Sequence, residues 1–232
     1  MDEHLGERLV LNVPVGGFSL EFNLLTMIAS WVVIVLLVVL AVFLRRGLRQ
    51  EIEEKPNRAQ ALVDAVMGLL ENQFLVGFGS ERVARELFPF IGTLFLFVLF
   101  SNWISVVPYL GGAPTEDLNV PISLGVMVLV MSYVVALRVK GLRGYVRGRL
   151  EPFPFLLPLH MIGEVGRTTS HSFRLFGNLF GGGILIVVFS TALVPLVVPV
   201  VLNLFFGLFV GLIQAFVFSM LAVIYINTAV SE

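Results

Sequence analysis

The sequence predicts an all-α membrane protein with about five transmembrane helices, an amphipathic surface helix, and a last pair of helices that are long and tilted. Three observations predict it. Of the 232 residues 57% are hydrophobic and only 13% charged, whereas an ordinary soluble domain carries about 25% charged residues. Several apolar stretches reach the roughly 20 residues that cross a hydrocarbon core. The basic residues gather on alternate loops, as cytoplasmic loops do. A net charge of −1 provides no basic field for nucleic acid, so no such partner is expected. Cysteine is absent, which excludes a disulfide framework and cysteine metal sites. His4, His160 and His171 are too few and scattered for a metal centre. No metal or cofactor is expected. Asp2, Glu3, Glu7 and Glu21 against Arg8 have the wrong sign for the start of a cleaved signal.

The chain reads as a single polytopic domain over 1–232. Residues 24–44 carry no charge and end at Arg45-Arg46, the first span. Residues 47–86 form a charged surface segment. Within it, Leu62, Val66, Leu69 and Leu70 recur near helical spacing, with Asp64 and Glu71 between them. This pattern fits a helix lying on the membrane or an ordinary solvated amphipathic helix. A second span covers 88–107 and is closed by Pro108, and a turn-rich loop follows to Asn119. The third span is 120–137. Residues 138–150 read as a basic loop with Arg138, Lys140, Arg143, Arg147 and Arg149. Beyond Pro152, Pro154 and Pro158 lie two long apolar stretches, 159–193 and 196–229, with Pro195 and Pro199 at their junction. Oblique crossing accommodates their excess length. Segments 45–86 and 138–150 hold seven and five of the 15 Lys+Arg. Loops 108–119 and 191–196 hold none. The expected orientation places the N-terminus outside and the C-terminus in the cytoplasm.

The ionisable residues inside the spans carry the chemistry. Arg174 stands near the middle of its stretch, more than about 20 Å from either interface at 1.5 Å per residue. A guanidinium does not snorkel that far. Holding it there costs at least about 2.5–3.5 kcal/mol, and it does not discharge to escape. It therefore requires a polar cavity, a carboxylate or both. Only Glu164 among the 16 Asp+Glu is on a long membrane stretch, ten residues away, or about 15 Å along a helix. A structural ion pair within the chain is one reading. A membrane carboxylate from another subunit is the other, and the lack of a local partner favours it. Glu164, Arg167, His171, Arg174 and Asn178 fall on one stripe of about 80°. Lipid would penalise such a stripe, so it faces protein or water, as a path or as hydrogen-bonding glue. His171 fits either a packing histidine or a proton relay. Asn203, Gln214 and Tyr225 recur every eleven residues and share a face if the helix is regular. Gly177, Gly181, Gly182, Gly183, Gly207 and Gly211 leave a smooth surface beside these groups, suited to a close neighbour.

Ser172-Phe173-Arg174-Leu175-Phe176-Gly177-Asn178, preceded by Pro158-Leu159-His160-Met161-Ile162-Gly163-Glu164, resembles the signature of the F-type ATP synthase a subunit. Gln214-Ala215-Phe216-Val217-Phe218 with Tyr225 resembles that family's last helix, and Asn102 with Pro108 the end of its second span. The resemblance implies a non-catalytic membrane stator beside a ring of c subunits that carry membrane carboxylates. Peripheral-stalk b subunits, other synthase subunits and membrane lipid are its further expected partners, and the cell inner membrane its location. It implies two offset half-channels, with Arg174 the essential ion-coupling arginine between them and Asn178 and Gln214 its polar neighbours. H⁺ or Na⁺ flow would drive ring rotation, and ATP would be made or hydrolysed on other subunits. Family members usually carry His or Glu nine residues after the arginine and Glu or His seven before the glutamine. Here Gly183 and Gly207 stand there. Water held beside these two glycines, or a contribution from His171 or Asn203, is the expected replacement. Two other classes compete. A secondary transporter would show repeats and intramembrane acids, and a structural membrane-assembly subunit has no use for a mid-membrane arginine.

Overall fold

A computed structural model describes residues 10–15, 18–47, 58–75, 77–107, 113–150, 155, 157–192 and 197–231. The readings placed on residues 1–9, on Pro108 and the first part of its loop, on Pro152 and Pro154, and on the junction at Pro195 lie outside them.

The chain is an all-α membrane protein with one small addition. Among the described residues, five helical segments are long and apolar enough to cross a bilayer. The first is α1 (Leu24–Gly47). Ahead of it, β1 (Val10–Val15) and β2 (Phe18–Asn23) pair antiparallel, with Val10 opposite Asn23 and Val15 opposite Phe18. The sequence reading did not anticipate this hairpin. The cue was local: β-branched and aromatic residues alternate with polar ones about Gly16-Gly17.

The surface segment contains α2 (Arg58–Leu75). It buries Leu70 and Phe74 against the bundle and leaves Val66, Met67 and Leu69 exposed. The next helix, α3 (Glu81–Trp103), starts seven residues before the expected span and continues as a 3-10 turn over Ile104–Val106. Its polar start, Glu81 to Glu86, is helical because nothing in it breaks a helix, and Pro89 is accommodated within it. A second 3-10 turn, Pro114–Glu116, leads to α4 (Asn119–Leu150). The basic loop expected over 138–150 is instead helix. Its one interruption is Gly141, at φ 71°, a left-handed conformation that glycine adopts without steric cost.

The long final stretches are α5 (Leu157–Ala192) and a composite helix. The composite begins with α6 (Val197–Asn203), widens to a π-helical segment over Leu204–Val210, and ends with α7 (Gly211–Ser231). One hydrophobic core joins Phe74 of α2, Ile91 and Val98 of α3, Val128 of α4, Leu175 of α5 and Ala222, Val223 and Ile226 of α7. By contrast, α1 buries only Ala29 and Val33 among its apolar residues and exposes most of the rest.

Candidate functional site

The α5 stripe does not meet one environment along its length. At the end where α5 begins and α7 finishes, Glu164 and His171 are buried. Midway, Arg174 is exposed and Asn178 half-buried. The neighbours of α5 explain the change. Gly125 of α4 lies so close that a Cβ there would collide with Ser172. Leu175 and Leu179 pack into the core, and the face bearing Phe173, Arg174 and Gly177 is uncovered.

Glu164, Arg167, His171 and Tyr225 line a single cavity of about 30 Å³ between α4, α5 and α7. Ser132, Thr168 and Thr228 add hydroxyls to the lining, and Gly125, Val128, Leu129 and Ala229 make the rest of it apolar. The Glu164 carboxylate accepts a hydrogen bond from the Tyr133 hydroxyl. Tyr133, Ser132, Thr168 and Gly125 were missed in the sequence because they sit on helices whose contacts no spacing discloses. His171 packs with its ring centroid 3.8 Å from that of Phe218 and 5.4 Å from that of Tyr225. Both its ring nitrogens are buried without a hydrogen-bond partner.

A second polar cluster lies at the other end of the bundle, where α6 follows α5. Asn102 is fully buried. Its Nδ2 donates to the Gly211 carbonyl at 3.0 Å, and its Oδ1 accepts from the Thr115 hydroxyl at 2.7 Å. The Trp103 indole donates to the Leu208 carbonyl at 3.2 Å. Wider i→i+5 bonding redirects carbonyls in and beside the π segment, and these side chains meet two of them. Beside them, burial raises the Glu116 carboxyl above its usual pKa, partly offset by a backbone hydrogen bond from Ala113.

The π segment also revises two expectations. Gln214 and Tyr225 both lie in α7 and keep their three-turn spacing, but the π segment separates them from Asn203, so eleven residues from Asn203 to Gln214 no longer means three α-turns. Gln214 is buried and Tyr225 half-buried, whereas Asn203 stands beside Gly207. Gly183 and Gly207 do not frame a common water space either. A Cβ on Gly183 would meet nothing within 4 Å, but one on Gly207 would collide with Val106 and lie 3.0 Å from the Ser105 hydroxyl. The space beside Gly207 is filled by α3's continuation, which approaches because the glycine has no side chain.

Arg174 therefore lies along α5 between the two polar clusters, on an exposed surface. A Cβ on Gly177 or Gly181 beside it would meet nothing within 4 Å. Among the described residues no carboxylate lies within ion-pair distance of it.

Residues 27–227 match the family described as ATP synthase A chain. ATP synthase subunit a 1 of Syntrophotalea carbinolica is 38% identical over 88% of this chain and 84% of its own length. ATP synthase subunit a 1 of Hahella chejuensis is 34% identical over 89% and 84%. The sodium ion specific ATP synthase subunit a of Propionigenium modestum is 32% identical over 90% and 74%. The match runs through all five span-length helices and both polar clusters, and the chain belongs to the ATP synthase A chain family, as a multi-pass membrane subunit of that multi-subunit complex.

Proposed function

We propose that this subunit is the ion-translocating stator of its synthase, coupling H⁺ or Na⁺ flow to rotation of a neighbouring ring of c subunits. The observation that carries this reading is Arg174, a permanent cation on an uncovered, glycine-lined stretch of a membrane helix with no carboxylate beside it among the described residues. A ring carboxylate moving past supplies the missing charge. The glycines at 177 and 181 let the moving helix come close. The cavity at Glu164 and His171 belongs to the half-path opening to the cytoplasm, and the Asn102–Asn203 region to the half-path opening outside. Asn178 and Gln214 flank the passage between them. The chain lies in the cell inner membrane with its N-terminus outside and its C-terminus inside, bound also to peripheral-stalk b subunits. It performs no chemistry on ATP, which other subunits make or hydrolyse.

The electrostatics set the mechanism. A carboxyl entering a low-dielectric interface prefers its protonated or ion-loaded form, because desolvation disfavours the bare charge. A guanidinium within about 4–6 Å reverses that preference and unloads the ion. Their attraction at an effective dielectric near 20 is about 4 kcal/mol at 4 Å. Arg174→Ala is expected to abolish coupled ATP synthesis while the complex still assembles, with increased passive ion flux in reconstituted vesicles. Arg174→Lys also loses coupled synthesis, since a lysine lacks the planar fork and can deprotonate when buried. Wild-type coupling in the alanine variant would refute the stator reading.

A further inference from the structure

We propose that Phe173, Phe176 and Phe180 of α5 form the ion barrier of this surface, an aromatic wall beside Arg174 that closes against the ring and stops ions from passing around the arginine. This deepens the stator reading and rests on it. The three residues recur at i, i+3 and i+7, within about 60° of helix arc. Arg174, Gly177 and Gly181 repeat the same spacing about 100° further round the helix. The rings already pack on one another. Phe173 and Phe176 meet edge to face with centroids 6.5 Å apart, and Phe176 and Phe180 stack at 5.0 Å, both separations typical of favourable aromatic pairs. Yet the ladder is only partly covered by its own chain: Phe173 is 48% and Phe180 46% exposed, against 3% for Phe218. Beyond the glycine stripe, Phe206 presses so closely on Gly182 that a Cβ there would lie 2.9 Å from its ring. At Gly181 the stripe thus has phenylalanine on both sides.

Holding a guanidinium at mid-membrane against lipid is costly, so the face that Phe173 shares with Arg174 meets protein or water. The stator reading supplies the ring as that protein. The ladder spans about 10 Å along the helix axis, about a third of the hydrocarbon thickness. Phenylalanine has no polar atom to replace the water around an ion, and apolar constrictions exclude water and ions together. Rings stacked in advance lose little side-chain freedom when another helix arrives. Gly177 and Gly181 admit that helix close to the backbone, and the ladder closes the gap that their missing side chains would leave. A dry boundary also lowers the effective dielectric at Arg174, which strengthens its attraction for a carboxylate. Arg174 governs the carboxylate, and the phenylalanines close the route around it. The barrier acts alike on H⁺ and Na⁺, because it excludes the water that either would need.

The test uses the whole synthase reconstituted in vesicles. Passive flux is recorded without nucleotide, with a pH-sensitive dye and with ²²Na⁺, so that either coupling ion registers. Phe173→Ala combined with Phe180→Ala is expected to assemble, because both rings are half exposed. It should raise passive flux at least about tenfold, equivalent to about 1.4 kcal/mol off the barrier to passage. ATP hydrolysis should continue with fewer ions pumped per ATP. Phe173→Leu combined with Phe180→Leu keeps the apolar bulk and is expected to hold flux and coupling at wild-type levels. The chain has no cysteine, which permits a second measurement. A single Phe180→Cys variant is expected to resist a water-soluble thiol reagent in the assembled complex. Wild-type flux in the alanine pair would overturn the proposal, since the rings would then serve only to face lipid. Equal leakage in the leucine and alanine pairs would also overturn it. So would rapid labelling of the Phe180→Cys variant, whether or not the alanine pair assembles. Arg174→Ala in the same vesicles separates the two levels. If it abolishes coupled synthesis while an overturning result is seen, the stator reading stands and the barrier role falls. If it leaves coupling intact, the stator reading itself fails.

Discussion

Two glycines that look alike in the sequence behave oppositely in the fold. Gly183 borders open space, and Gly207 is pressed against Val106 and Ser105. Gly207→Leu is therefore expected to cost about 1–3 kcal/mol, the usual penalty of overpacking, and to lower the thermal stability of the purified complex. Gly183→Leu should assemble normally and slow ion transport, because its side chain projects into the surface beside the proposed path. Equal effects of the two on stability would contradict this division. A glycine records only that a side chain is absent, so the sequence did not distinguish space left for water from space taken by a neighbour. Arg174 was legible for the opposite reason. Its cost in a membrane depends mainly on depth, which can be counted along the chain. His171 lies between these cases: its stripe was visible, but the ring contacts and the orphaned nitrogens depend on α7, more than forty residues further on.

The elements were read correctly where hydrophobic length decides them. α5 and the composite last helix extend close to their expected limits. The basic run after residue 138 was misread because charge was taken as a sign of loop, although Arg, Leu and Val sustain a helix once Gly141 has turned it. The π segment was not legible. Leu204 to Val210 is apolar and regular in composition, and the widening depends on donors brought by α3. Asn102 is the critical donor, linking Gly211 and Thr115 at one buried point. Asn102→Ala leaves both without this partner, at about 1–3 kcal/mol for each buried group left unsatisfied. Limited proteolysis and thermal melting of the complex should both show the loss. Unchanged melting would mean that the π segment holds without Asn102.

For the whole molecule, the bundle is built from spans of unequal self-sufficiency, and this bears on how it is made. The α1 span has a mean hydropathy of 3.1, whereas the α5 span reaches only 1.6. α1 buries little against the rest, so lipid alone satisfies it. α5 carries Glu164, Arg167 and Arg174, and a central arginine alone costs the translocon about 2.5–3.5 kcal/mol. α4, made earlier, packs along much of α5, but Phe218 and Tyr225 around His171 are on α7, which leaves the ribosome after α5. Synthesis order thus works against stability at one place: the least apolar span emerges before the helix that covers His171. A chain stopped after residue 192 is expected to leave α5 partly uninserted in a glycosylation-mapping assay, while α1 alone inserts fully. Restoring residues 193–231 should recover insertion of α5. The nascent subunit would then have to keep α5 waiting at the lateral gate of the insertion machinery, and mutations there would deplete the synthase before they touched its turnover.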